Sequence, residues 1–214
     1  LAFSRSGDLF VMVVHTEGSR MLYVRRMDEL EYRPLAGTDR AYGPCVSPDS
    51  EWIAYFSGRT MKKIPAAGGT PQIITQLSDR PLRAVWTDQN EIVWSEMNSG
   101  LMRIDANGAN KRTVTEPDRE RGESMHVPID ITNVDGWITM GIQRTGLGDA
   151  KIDALFLATG ERVPLVDPAV SGFILPSGHL VHAAGDNVFA TRVVGTPPRL
   201  SGPTVEVLNK LMLD

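Results

Sequence analysis

The sequence repeats one kind of short turn five times at a nearly constant spacing. The turn is clearest at residues 47–50, Ser-Pro-Asp-Ser. Proline presets φ for a turn, and Asp and Ser side chains can hydrogen-bond the backbone just ahead of them. Successive turns, aligned on one position, lie 43, 40, 46 and 42 residues apart, at Gly7, Ser50, Asn90, Gly136 and Gly178. We call these five segments the hinge turns.

Each hinge turn lies within a group of four short strand-like segments. In the second group, apolar and β-branched segments at residues 43–46, 52–56, 61–64 and 72–75 alternate with Gly- and Pro-containing turns. Four strands per period of about 40 to 45 residues are typical of a β-propeller blade. Armadillo and HEAT arrays share the period but need amphipathic helices, which the sequence lacks. We therefore predict an all-β, single-domain β-propeller with five recognisable four-stranded blades, at about 1–38, 41–77, 83–118, 124–167 and 169–211.

Composition excludes several classes of function. The chain has 214 residues and a net charge of -4, without the basic face typical of nucleic-acid binding, so we expect no nucleic-acid partner. Its longest apolar runs are only strand length, so no membrane segment is expected in this chain. The first residue is Leu1 and no signal peptide is recognisable, so we expect a processed or excised piece of a longer protein.

Three local patterns give further expectations. The single cysteine, Cys45, lies on a predicted inner strand and is expected to be buried and unreactive. The polar run EPDRERGE at residues 116–123 is expected to be a solvated loop crossing to the next blade. Residues 205–213 have the only pattern that could form a short helix.

The amino-acid sequences of the hinge turns resemble a known repeat. Residues 3–9, FSRSGDL, and 46–55, VSPDSEWIAY, are similar to the signature F-S-P-D-G-x-x-I-A-F of TolB-like (WD40-like) propeller repeats. The resemblance extends to residues 22–27, LYVRRM, and 62–69, KKIPAAGG. Together these segments are similar to the propeller that follows the kinase domain and membrane span in many bacterial receptor serine/threonine kinases.

The resemblance implies a non-catalytic binding or sensor module, outside the cytoplasm and part of a larger bacterial protein. Proteins with this pattern usually carry at least one more blade after the fifth. Two arrangements therefore remain open: five blades close the ring, or a sixth blade is lost or supplied by a partner. An unclosed ring would expose blade faces and edges, which invites self-association.

No motif in the sequence specifies catalysis. The nucleophile elbow, the zinc-protease helix and the phosphate-binding glycine loop are all missing from it, and no cofactor or metal site is expected. His179 and His182 lie three apart on a predicted strand and should face opposite sides. Two aspartate pairs could in principle carry out acid–base chemistry, Asp49 with Asp88 and Asp130 with Asp135. Aspartate is common in turns because its side chain hydrogen-bonds the backbone, and this structural role is enough to explain these residues. Enzyme alternatives remain open: an accessory propeller of a prolyl-peptidase-like hydrolase, or a propeller glycosidase or lyase.

A binding site, if the fold follows its usual pattern, would lie at the mouth of the central channel, in the loops entering the innermost strands. Those loops hold the five predicted ligand-binding residues, Arg40, Tyr42, Arg83, His126 and Ser171. Arginine and tyrosine there could contact carboxylates, a peptide, a protein partner or a small ligand. Four tryptophans recur on the strands and suggest either packing between blades or, less simply, a platform for sugar rings: Trp52, Trp86, Trp94 and Trp137.

Overall fold

Twenty β-strands form five four-stranded antiparallel sheets. The structure, a computed structural model, describes residues 1–16, 18–132, 135–144, 150–175 and 177–209. Within each sheet the strands follow one another in chain order. The strands of the first three sheets are β1 (Ala2–Phe3), β2 (Leu9–Thr16), β3 (Ser19–Arg26), β4 (Arg33–Pro34); β5 (Ala41–Val46), β6 (Trp52–Ser57), β7 (Thr60–Pro65), β8 (Gln72–Gln76); β9 (Pro81–Trp86), β10 (Glu91–Glu96), β11 (Leu101–Asp105) and β12 (Arg112–Thr113). Those of the last two are β13 (Glu123–Ile131), β14 (Trp137–Arg144), β15 (Ala150–Phe156), β16 (Arg162–Val166); β17 (Ser171–Ile174), β18 (His179–Ala184), β19 (Asn187–Val194) and β20 (Arg199–Leu208).

The hinge turns share one backbone conformation. The five aligned residues all have positive φ: 75° at Gly7, 61° at Ser50, 59° at Asn90, 76° at Gly136 and 79° at Gly178. Glycine adopts this left-handed conformation without strain, and Asn and Ser adopt it at a modest cost. Asn133, Val134 and Pro176, which belong to the last two hinge turns, lie outside the described residues.

Contacts divide the chain into two compact units. The first comprises Leu1–Met97 and Met102–Arg112, and the second comprises Asn98–Leu101 and Thr113–Asp214. The prediction of five four-stranded sheets without helices is confirmed over the described residues.

In the first unit, the second sheet is covered on both faces because its strand residues alternate. Ile53 and Tyr55 of β6 pack in a cluster with residues of the first sheet, such as Val11 and Val24. Ala54, which lies between them, and Phe56, which follows Tyr55, pack in another cluster with Trp94 of the third sheet. Each such buried apolar side chain contributes on the order of 2 kcal/mol, and this sheet-on-sheet packing is how a blade hides its two apolar faces.

In the second unit, the fourth and fifth sheets share an apolar cluster. Ile129 and Ile152 of the fourth sheet pack there with Ile174 and Leu180 of the fifth.

The structure tests two local expectations. The segment Val205–Leu208, in the predicted fifth blade, is strand, so the short helix that residues 205–213 could have formed is not present there, because β20 pairs with β19 as far as Leu208. Residues 210–213 lie outside the described part. The polar run 116–123 is exposed along much of its length, but Glu123 begins β13 and is buried. The reason is an ionic partnership described below, which the local composition does not reveal.

Candidate functional site

The five predicted ligand-binding residues are divided between the two units. Arg40, Tyr42 and Arg83 belong to the first unit, and His126 and Ser171 belong to the second. Only Arg40 lies in a loop; the other four lie in β5, β9, β13 and β17, because these inner strands begin earlier than the sequence pattern suggests. The first three lie near the starts of β5 and β9, two strands in direct contact.

Tyr42 is fixed by contacts on its hydroxyl and its ring. The hydroxyl donates a hydrogen bond to the carbonyl of Gly58 at 2.8 Å. The ring packs against Phe56 with centroids 5.7 Å apart, and the guanidinium carbon of Arg20 lies 5.3 Å from the ring centroid. Burial raises the pKa of Tyr42, while the charges of Arg80 and Arg20 partly oppose this effect. Tyr42 is therefore a neutral phenol at physiological pH, half-buried beneath cations.

A β-bulge positions Tyr42. The pairing of β5 with β6 shifts register between Tyr42 and Cys45. Gly43 within the bulge has φ 57°, and a Cβ there would lie 2.9 Å from Phe56 Cδ2. Bulges re-aim side chains and occur frequently beside binding sites. Similar shifts occur near the start of β9, opposite Ser95/Glu96, and near the start of β13.

Arg20, Arg40, Tyr42, Arg80 and Arg83 form a surface that we call the Tyr42 face. All four arginines are exposed. Among the described residues, no carboxylate lies within ion-pair distance of Arg20, Arg40 or Arg80. Within the described part of the chain, the guanidinium groups of Arg20, Arg40 and Arg80 are therefore not neutralised by ion pairs.

Among the described acidic residues close to the Tyr42 face along the chain, Asp39, directly before Arg40, is exposed, whereas Asp79 and Glu96 are engaged elsewhere. Asp79 pairs with Arg59 at 3.3 Å. Glu96 is buried and accepts hydrogen bonds from the Asp79 amide at 2.5 Å and from Trp94 Nε1 at 3.2 Å. Neither carboxylate forms an ion pair with Arg20, Arg40 or Arg80.

Arg20 and Arg80 were not among the residues predicted from the sequence, although the repeat pattern contains a signal for both. Arg20 is the second residue of β3, the third strand of its sheet, and its guanidinium lies over Tyr42 near the start of β5. Arg80 precedes β9 just as Arg40 precedes β5. Comparing equivalent positions between repeats would have found them.

Replacing Arg40 with glycine should leave the free energy of unfolding unchanged or raise it by up to about 1 kcal/mol. Arg40 has φ 59°, a conformation that costs a non-glycine residue roughly 1–2 kcal/mol, offset by about 0.4–1 kcal/mol for the freer unfolded glycine. Urea denaturation measures the change, with Arg40→Ala as the control that removes the side chain and keeps the strain. A glycine variant clearly less stable than wild type would show that Arg40 supports the fold.

His126 is buried in the second unit and does not lie on a solvated rim. It is 0 % exposed. Its Nδ1 lies 2.7 Å from Thr115 Oγ1, and its Nε2 lies 2.9 Å from Glu123 Oε2. Burial lowers the pKa of His126, a shift that the hydrogen bond to Glu123 partly opposes, so the ring is neutral at physiological pH.

Glu123 is the centre of this buried polar cluster. Its carboxylate accepts hydrogen bonds from the Asp118 amide at 2.9 Å and from Arg162 Nη1 at 3.2 and 3.3 Å. Burial by itself raises the pKa of Glu123, but the Asp118 amide, His126 and Arg162 together outweigh it and lower the pKa to about 2. Glu123 is thus a buried, charged and well-partnered carboxylate.

Asp153 is a second buried carboxyl in the same unit. It is 2 % exposed, and one oxygen lies 3.5 Å from Lys151 Nζ. The other oxygen, Oδ1, has no hydrogen-bond partner among the described residues. Burial raises the pKa of Asp153, and Lys151 and Arg162 partly oppose the increase.

The order Thr115–His126–Glu123 resembles a nucleophile–base–acid relay, but its surroundings indicate a structural role. Thr115 Oγ1 accepts a hydrogen bond from the Leu101 amide at 2.9 Å. In the first sheet, Thr38 Oγ1 accepts an equivalent hydrogen bond from the Leu22 amide at 3.0 Å. This hydrogen bond to a threonine is therefore a feature of the repeat. Both Thr115 and His126 are buried, which keeps a substrate away from them.

The remaining candidates have defined surroundings. Ser171 is exposed at the start of β17, opposite Ala183. Cys45 is buried, as predicted, and burial raises its pKa to about 12. Within the described residues, no group of three or more His, Cys, Asp or Glu side chains is arranged to hold a metal ion.

Three of the four aspartates considered as acid–base pairs have structural partners. Asp88 accepts a hydrogen bond from Arg5 Nη1 at 2.6 Å, and Asp49 accepts one from Ser47 Oγ at 2.5 Å. Asp130 Oδ2 accepts the Ile174 amide at 3.1 Å. Asp135 is exposed in its hinge turn.

The tryptophans are packed in the interior with one exception. Trp86, Trp94 and Trp137 are buried, so they are not platforms for a ligand. Trp52 is half-buried, with Lys63 Nζ 4.7 Å from its ring centroid.

Over the residues that the structure describes, no helix is long and apolar enough to cross a membrane.

Comparison with known proteins gives similarity in structure only. No protein-family model and no curated protein matches this sequence. TolB from Acinetobacter baumannii is similar with a TM-score of 0.68 and 13 % identity, over 89 % of this chain and 50 % of that one. A chain of a nidogen/laminin complex is similar with a TM-score of 0.66 and 13 % identity, over 89 % of this chain and 74 % of that one. Oligogalacturonate lyase from Vibrio parahaemolyticus is similar with a TM-score of 0.65 and 11 % identity, over 97 % of this chain and 64 % of that one.

Such low identities establish the fold and leave the activity open. This chain spans half of the Acinetobacter TolB chain and less than two thirds of the Vibrio lyase chain. With five four-stranded antiparallel sheets and these structural relatives, the chain has the fold of a TolB-like β-propeller.

Proposed function

We propose that this propeller is a non-catalytic binding module that holds a protein or peptide partner against the Tyr42 face, as the sensing part of a larger bacterial protein. The observation that carries the proposal is that Arg20, Arg40 and Arg80, which form no ion pair with a described residue, lie on the same face as a half-buried tyrosine. Arginine and tyrosine are enriched where proteins bind one another. The structural relative from a nidogen/laminin complex offers a precedent for a protein-binding chain of this fold.

The chemistry of the Tyr42 face favours binding over catalysis. An arginine side chain stays protonated in proteins and cannot accept a proton as a general base. The pKa of Tyr42 is raised by burial, so the phenol stays protonated at neutral pH and cannot accept a proton as a general base. The groups suited to proton transfer, Glu123 and His126, are buried and bonded to one another in the second unit.

Selection from a displayed library of random peptides should yield sequences that bind this chain through the Tyr42 face. An Arg20→Gln/Arg80→Gln variant is expected to bind them at least about tenfold more weakly, since two charge-assisted contacts are removed. Fluorescence anisotropy with the selected peptides measures the affinity.

The control for this experiment is Arg121→Gln/Arg192→Gln, which removes the same charge from exposed positions of the second unit. Failure to enrich any peptide, or equal binding by all three proteins, would refute the proposal. The gene sequence that flanks this segment gives an independent check, because a kinase domain there agrees with a sensor and a hydrolase domain does not.

An enzyme is the second candidate, favoured by the similarity to oligogalacturonate lyase. Incubation with polygalacturonate, with and without added divalent cations, tests it. We expect no shortened or unsaturated product. Turnover that the Arg20→Gln/Arg80→Gln variant loses would replace the binding proposal with a lyase acting at the same face.

A further inference from the structure

We infer that the Tyr42 face binds an acidic peptide segment, with several Asp or Glu carboxylates accepting hydrogen bonds from Arg20, Arg40 and Arg80. The inference rests on the proposed binding function and adds the chemical class of the partner. A guanidinium group presents two parallel N–H donors that match the two oxygens of a carboxylate.

The charge of the face differs in sign from that of the chain. The chain carries a net charge of -4, whereas the Tyr42 face carries four arginines, of which Arg20, Arg40 and Arg80 form no ion pair with a described residue. At about 0.1 M salt the Debye length is roughly 10 Å, so an anionic ligand on the face is attracted mainly by these nearby cations.

The arginines are distributed over several sheets. Arg20 lies on β3 of the first sheet, Arg40 lies just before β5 of the second, and Arg80 and Arg83 lie at the start of β9 in the third. A ligand with a single carboxylate would engage only part of this set. A peptide with several acidic side chains can reach across the ends of all three sheets.

The contacts of Tyr42 disfavour ligands that bind by ring stacking. Arg20 already lies over the ring at 5.3 Å, and Phe56 packs against it at 5.7 Å. Nucleobases and sugar rings need an uncovered aromatic face, which Tyr42 does not offer.

Titration of the whole chain with two labelled peptides tests the inference. One consists of glutamate residues and the other of the same number of glutamines. Fluorescence anisotropy at low salt should show the glutamate peptide binding at least about tenfold more tightly. Raising the salt concentration should weaken binding, and Arg20→Gln/Arg80→Gln should weaken it at least about tenfold, while Arg121→Gln/Arg192→Gln stays within about twofold.

Three other probes identify the competing classes: a single-stranded oligonucleotide, polygalacturonate, and vesicles of phosphatidylcholine with phosphatidylglycerol. Tighter binding of any of these than of the glutamate peptide would overturn the inference, as would equal binding of the glutamine peptide. If library selection yields peptides that depend on the Tyr42 face but are not acidic, the binding function stands and the acidic partner is wrong. If the face variant changes nothing in either experiment, both are wrong.

Discussion

Replacing Gly100 with alanine should lower the free energy of unfolding by at least about 3 kcal/mol, because the new methyl group has no room. A Cβ at this position would lie 1.8 Å from the carbonyl oxygen of Thr115 and 2.5 Å from its carbonyl carbon. Both atoms belong to the backbone, so rotation of a side chain cannot relieve the clash. Thr115 is itself fixed, since its hydroxyl accepts the Leu101 amide and contacts His126 Nδ1.

Urea denaturation followed by circular dichroism measures this loss. Gly185→Ala is the matched control: it lies in the same unit with φ 56°, and nothing is within 4 Å of a Cβ built there. The control introduces backbone strain alone and should cost no more than about 1 kcal/mol. Equal stability of the two variants would show that the chain relaxes around Gly100.

Replacing Arg162 with leucine should lower the free energy of unfolding at pH 7 by about 2 to 3 kcal/mol. The Glu123 carboxylate, 6 % exposed, would lose its contacts to Arg162 and remain charged in the interior. This expected loss lies in the lower part of the range usual for breaking a buried ion pair, because the Arg162 side chain is itself 27 % exposed.

The pH dependence separates this electrostatic loss from lost packing. The pKa of Glu123 is lowered from 4.5 to about 2 in the folded protein. A folded-state pKa below the unfolded value means that the stabilisation is fully present above about pH 4.5 and is lost as the pH falls towards 2. Without Arg162 the Glu123 pKa rises, so the stability difference between wild type and variant should shrink as the pH falls below 4.5.

Denaturation curves at several pH values measure that difference. A double variant, Glu123→Gln/Arg162→Leu, removes both charges and should recover part of the loss at pH 7. A difference that is independent of pH, or a double variant less stable than the sum of its parts, would contradict the electrostatic explanation. In the wild type, burial also lowers the folded-state pKa of His126, so its contribution to stability is present above its unfolded value of 6.5 and is lost as the pH falls below it.

The hinge turns are the part of the fold that the sequence predicts best. Turn residues and their spacing align Gly7, Ser50 and Asn90, and each has the same left-handed backbone conformation in the structure. A turn is determined by a few consecutive residues, so its chemistry can be read locally. The alternation of apolar residues along β6 likewise determines that both faces of the second sheet are covered.

The candidate site was predictable only in part. Arg40, Tyr42 and Arg83 were predicted because loops at blade ends often bind ligands, but the proposed roles of Arg20 and Arg80 depend on which sheet ends lie together. The burial of Glu123 could not be predicted from its neighbours either. Glu123 ends a polar run that is typical of a loop, yet Arg162, 39 residues later, donates hydrogen bonds to its buried carboxylate.

The sequence by itself determined the repeat, the hinge turns and the strand alternation, because these depend on neighbouring residues and on backbone preferences. The tertiary structure decided which charges are neutralised and which are left exposed. His126 was predicted for a rim and is buried between Thr115 and Glu123, whereas Arg20 comes to lie over Tyr42 from another sheet. Electrostatic energy depends on distance in space and on burial, and the packing of sheets sets both.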